Sequence, residues 1–154
     1  MIARQTIKRQ AGFTLIEAMV ALLIFSAGLL GLAGMQMSGM QNNHSAILHT
    51  LAVQQTYDMA ERIRANQAGA TAEDYDAMNS DTVLCTTDCT AAQIDFADWY
   101  TTTQDVLPSG SGEITGKAVD NNGDTVPDSR SYTITVSWVE PSGLNASVDL
   151  TFQP

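Results

Sequence analysis

Proline is missing from the first 107 residues of this 154-residue chain, and Pro108 is the first of only four. An uninterrupted helix over much of the N-terminal half is therefore not forbidden, because proline is the residue that breaks one. Cysteine is scarce as well. Two residues, Cys85 and Cys89, exclude a disulfide-dense scaffold, and a four-ligand zinc site would find no further cysteine. Positive charge is thin: 7 basic against 17 acidic side chains give a net charge of −10 at pH 7. A nucleic-acid backbone would be repelled by such a chain, so no nucleic-acid partner is expected. No fixed-period repeat is visible, which excludes a solenoid. A nucleophile elbow, a phosphate loop and a rigid carboxylate pair are all absent. The two histidines, His44 and His49, are five residues apart, off the four-residue spacing of a helical metal pair. The chain does not read as an enzyme, and no cofactor or metal is expected.

What is present is unevenly distributed. From Phe13 to Met35 the only ionisable side chain is Glu17, in an apolar run of 23 residues. About 20 apolar residues at 1.5 Å each cross a bilayer, so this run is long enough. Arg4, Lys8 and Arg9 precede it with no acidic residue before Glu17, and the positive-inside rule keeps that end cytoplasmic. Residues 41–154 carry 4 basic and 16 acidic side chains, net −12. The pattern is a membrane anchor followed by an acidic soluble part.

A secretory signal peptide is the competing reading, since Gly31-Leu32-Ala33 offers a small-x-small cleavage site. Glu17 argues against it. A carboxylate inside an apolar segment costs about 2.5–3.5 kcal/mol at the bilayer centre and somewhat less near an end. A disposable signal gains nothing from that cost, whereas a retained helix could use the charge.

The stretch Gly12-Phe13-Thr14-Leu15-Ile16-Glu17, behind a basic leader and ahead of the apolar run, resembles a class III (type IV prepilin) signal. Later stretches, Ala18–Leu23, Gly28–Ala33 and Asp58–Asn66, resemble PilV-type minor pilins. The resemblance implies a prepilin peptidase that cuts between Gly12 and Phe13 and N-methylates Phe13. It implies that Glu17 pairs with the N-terminal amine of a neighbouring subunit. It also implies partners: other minor pilins, the major pilin and an inner-membrane assembly platform. The division it suggests is a cleaved leader (1–12), a transmembrane assembly helix (13–40), an amphipathic stalk helix (41–66) and a periplasmic globular domain (67–154). The implied fold is α+β and type IV pilin-like, a long N-terminal helix on a small antiparallel sheet. The implied role is assembly and display of a type IV pilus, in twitching motility or adhesion, from the inner membrane. A minor pseudopilin of type II secretion shares the leader and tract. A membrane-anchored periplasmic binding module is the alternative from another class. Major pilins usually carry a proline in the tract; this chain does not.

Past the apolar run, Leu48, Ala52, Gln55, Met59 and Ile63 recur at intervals of three and four, with Ile47 and Leu51 alongside. This spacing predicts an amphipathic stripe and one helix from about Thr14 to Ala65, about 75 Å long. Residues 66–90 are polar and aperiodic and are expected to form a surface loop. A second helix is expected from Ala91 to Leu107, with Phe96, Trp99, Tyr100, Thr103 and Leu107 on one face. Glu113–Val119 is a candidate strand. Tyr132, Ile134, Val136 and Trp138 alternate with Ser and Thr, and Val148, Leu150 and Phe152 do the same after Pro141-Ser142-Gly143, predicting a hairpin.

Cys85 and Cys89 would close a short loop as a disulfide if the domain is exported to an oxidising compartment. Asp120, Asn122, Asp124 and Asp128 match oxygen positions of an EF-hand-type loop. Thr125 stands where glycine is needed, and Ser131 where a bidentate glutamate is needed. A solvated turn explains Asn121-Asn122-Gly123-Asp124 without a metal.

Overall fold

A computed structural model of the chain describes residues 12–83, 87–120 and 129–154. The chain divides into two compact units, one ending at Met40 and the other running from Gln41 to Pro154. Helix α1 spans Leu15–Ala65, 51 residues without a proline. Asn66 stops it and starts another: its side chain accepts from Gly69 N–H at 3.1 Å, capping the short α2 at Gln67–Thr71. A 3-10 turn follows at Ser80–Val83, then α3 at Ala91–Val106. A capping box opens α3. Thr90 Oγ1 accepts from Gln93 N–H at 3.3 Å, and Gln93 Oε1 accepts from Thr90 N–H at 3.0 Å. Pro108 stands two residues past its end.

Strands β1 (Ser111–Val119), β2 (Ser129–Val139) and β3 (Asn145–Phe152) form one antiparallel sheet in the order β1-β2-β3. The register places Ile114, Ile134 and Leu150 side by side on one face and Thr115, Thr133 and Thr151 on the other. A one-residue slip would reverse the faces, so the alternation fixes the pairing. The turn joining β2 to β3 uses Gly143 at φ +82°, a left-handed conformation that glycine adopts without penalty. Glu140 anchors that turn to α1, accepting from the Ser45 hydroxyl and, at 3.0 Å, from Trp138 Nε1.

The core lies in the second unit. Leu48, Ala52, Met59, Ala60 and Ile63 of α1 are buried with Phe96 and Trp99 of α3 and Tyr132, Ile134, Val136 and Trp138 of β2. Burying a large apolar side chain contributes about 1.5–3 kcal/mol, so these positions dominate the fold's stability. Trp99 also donates from Nε1 to the Gln55 carbonyl at 2.9 Å, tying α3 to α1. Among the described residues, Gln55 Oε1 is the one buried side-chain oxygen or nitrogen without a partner. The result is an α+β, pilin-like fold, with a long N-terminal helix packed on a three-stranded antiparallel sheet.

Two expectations need correction. Ile47 is 57% exposed rather than part of the buried stripe. Successive helical residues are about 100° apart, which turns Ile47 away from the face that Leu48 occupies. Residues 66–90 are not purely a surface loop. Ala70, Tyr75 and Met78 are buried in the core, and Met78 bridges to Ile114 of β1.

Candidate functional site: the N-terminal segment

Gly12, Phe13 and Thr14 precede the helix, and all three are exposed. The Thr14 carbonyl accepts the first helical bonds, from Glu17 N–H at 3.1 Å and Ala18 N–H at 3.3 Å. The Gly12–Phe13 peptide is thus outside the hydrogen-bonded ladder, with the Phe13 residue 81% exposed. A backbone without Cβ and without helical bonds is one that an enzyme can approach closely. Glu17 lies in the first turn of α1, where unsatisfied N–H groups favour negative charge. Among the described residues it has no ion-pair partner, so any countercharge comes from elsewhere.

Every described residue from Gly12 to Met40 is exposed in the isolated chain. Leaving that many leucine, isoleucine and methionine side chains in water would cost tens of kcal/mol at about 1.5–3 kcal/mol each. Lipid or other apolar helices must cover them. Ser26 fits that surrounding: its Oγ donates to the Leu22 carbonyl at 2.5 Å, satisfying the hydroxyl within the helix. A Cβ on Gly28, Gly31, Gly34 or Gly39 would meet nothing within 4 Å, so no contact among the described residues requires these glycines.

Residues 7–33 match the family model of the prokaryotic N-terminal methylation motif. The match takes in Gly12, Phe13, Glu17 and most of the apolar run. It supports a type IV pilin-like or pseudopilin protein, structural rather than enzymatic, and implies processing by a prepilin peptidase in the setting of pilin assembly. With the long apolar helix, it fits a membrane-anchored pilin. No curated protein and no solved structure matches the chain.

The second unit carries titratable side chains of its own. Among the described residues, no group of three His, Cys, Asp or Glu side chains is placed to hold a metal. His44 and His49 are exposed; the His49 ring meets Trp138 edge-on at 6.0 Å. Cys89 lies just before the Thr90 cap, while Cys85 falls outside the described residues. So does the 121–128 part of the candidate calcium loop.

Its charges are organised by its arginines. Arg62 pairs with Asp58 at 3.0 Å and Asp98 at 2.9 Å, and Arg64 with Glu61 at 2.5 Å. Arg64 also lies 4.7 Å above the Phe152 ring. Arg130 of β2 grips Asp76 with both Nε (3.0 Å) and Nη2, and reaches Glu73 at 2.6 Å through Nη1. The hydrogen bonds to Asp76 raise the Arg130 pKa further above its ordinary value. This clasp ties residues 73–76 to the sheet, a link that charge spacing in the sequence did not disclose. Beside it, the Tyr75 hydroxyl donates to Asp95 at 2.7 Å and Tyr132 donates to the Ala70 carbonyl at 2.7 Å. Burial raises both phenols: Tyr132 is pushed up to about 12 and Tyr75 higher still, aided by Asp95. Lys117, exposed on the outer face of β1, has no ion pair among the described residues.

Proposed function

We propose that the chain is a PilV-type minor pilin that takes part in assembling and displaying a type IV pilus. The observation carrying this reading is the methylation motif set where the helix begins, with Gly12–Phe13 outside the ladder and Glu17 in the first turn. A prepilin peptidase removes residues 1–12 and N-methylates Phe13. The new N-terminal cation then lies near the membrane face. In a neighbouring subunit, Glu17 pairs with it. Each group offsets the other's insertion cost only when two helices meet in register, so assembly is favoured over random contact. Residues 13–40 hold the subunit in the inner membrane, residues 41–66 continue as a stalk, and residues 67–154 form the periplasmic domain. Other minor pilins, the major pilin and the inner-membrane platform are its partners, and twitching motility or adhesion is the outcome. Cys85 and Cys89 close a loop of that domain as a disulfide.

Mass spectrometry of the mature protein tests the processing. An N-methyl-Phe13 terminus is expected; an intact leader or a start at Gly34 would refute it. Co-purification with pilus subunits, rather than with secretion-system components, tests the machine.

A further inference from the structure

The two edges of the sheet are treated differently. On the β1 side the edge is occupied: Ile114 N–H donates to the Met78 carbonyl at 2.8 Å, and the Asp76 carboxylate lies over Gly116. On the β3 side it is open. Among the described residues, no backbone group of residues 145–152 bonds to anything beyond β2. The strand pairs over eight residues without a bulge and contains no proline or lysine, the usual devices that protect an edge. About half of its N–H and C=O groups point away from β2 and are available to another strand.

Packing tells the same story. Ile134, Val136 and Trp138 of β2 are fully buried, while their partners Leu150, Val148 and Ala146 on β3 are only partly covered. A strand added alongside β3 would satisfy the edge and cover these side chains together.

Charge selects the occupant. On the outer face Asp149 opposes Thr135, which opposes Glu113, giving a rung with two carboxylates and no base. A second copy would bring its own Asp149 and a unit of net charge −12, which repels this one. We propose that β3 receives an extended strand of a different, less acidic subunit, one that places lysine or arginine opposite Asp149. This inference concerns residues 41–154 alone and stands whether or not residues 1–40 are processed as a pilin signal.

The test uses the full chain in detergent micelles and three ten-residue peptides of alternating valine and threonine. One carries a central lysine, one a central glutamate, and one the lysine with alternate backbone nitrogens methylated. The lysine peptide should slow amide hydrogen exchange within residues 145–152 at least about tenfold. It should bind about fivefold or more tightly than the glutamate peptide at low salt, as opposite and like cross-strand charges differ. The methylated peptide, which cannot pair, should not bind. An Asp149→Lys variant, altered at an exposed position, should reverse the lysine–glutamate order. Equal binding of all three peptides, protection confined to other residues, or an unchanged order in the variant would overturn the proposal. So would protection of residues 145–152 on concentrating the protein alone, which would make a second copy the occupant.

Discussion

Gly112→Ala is expected to destabilise the globular unit, although it exchanges a poor strand former for a better one. Gly112 is buried on β1 beneath the Trp99 ring. A Cβ there would lie 2.2 Å from Cη2 and 2.4 Å from Cζ3, against an ordinary contact of about 3.5–4.0 Å. The indole must retreat by roughly 1 Å or more, yet it is held between its 2.9 Å bond to the Gln55 carbonyl and the Phe96 ring 5.6 Å away. Overpacking of this kind costs about 1–3 kcal/mol, and a weakened buried hydrogen bond adds about 1 kcal/mol. Removing glycine from the unfolded chain returns about 0.4–1 kcal/mol. The net loss is about 2 kcal/mol, a fall in Tm of roughly 8 °C for a unit of this size. Thermal melts followed by near-ultraviolet circular dichroism measure it. Trp99→Phe removes the atoms that clash, so Gly112→Ala should cost at least about 1 kcal/mol less in that background. A Gly112→Ala protein that melts at or above the wild type, or whose effect is unchanged beside Trp99→Phe, would refute the packing argument.

Other outcomes follow from the polar network and the termini. Arg130→Ala should cost about 1–3 kcal/mol, read from denaturant melts, because it leaves the partly buried Asp76 without its partner. Above pH 10 the unfolded tyrosines lose protons that Tyr75 and Tyr132 keep in the fold, so stability falls as pH rises toward their native pKa values. Each contributes a slope of roughly 1.4 kcal/mol per pH unit, and Tyr132→Phe should flatten the alkaline melt between pH 10 and 12. Glu17→Ala should leave the globular unit's melt unchanged while abolishing incorporation into filaments; normal incorporation would count against the pairing. Non-reducing mass spectrometry should find Cys85 and Cys89 two mass units lighter than as thiols, and two free thiols would end that proposal.

Periodic features were legible in the sequence because periodic burial leaves a periodic trace. The stripe from Leu48 to Ile63, the α3 face from Phe96 to Leu107 and the alternation from Tyr132 to Trp138 each face one core surface over several turns or residues. Tyr75 and Met78 enter the core as single insertions from irregular chain, so no repeat announces them. The Arg130 clasp eluded the sequence for a related reason: its partners are 54 and 57 residues away. At the N-terminus the information is of another kind. Gly12, Phe13 and Glu17 stand out by motif alone, and the fold adds that the helix begins between Phe13 and Glu17.

Lys117 has a use that its quiet position conceals. It is the one lysine after Lys8, and it projects from the outer sheet face. Once residues 1–12 are removed, as the proposed processing requires, an amine-reactive fluorophore would mark one side-chain address. That address is on β1, the far side of the sheet from the open β3 edge. A single-dye subunit could then be counted by photobleaching steps, giving its copy number in an assembly without a fusion tag.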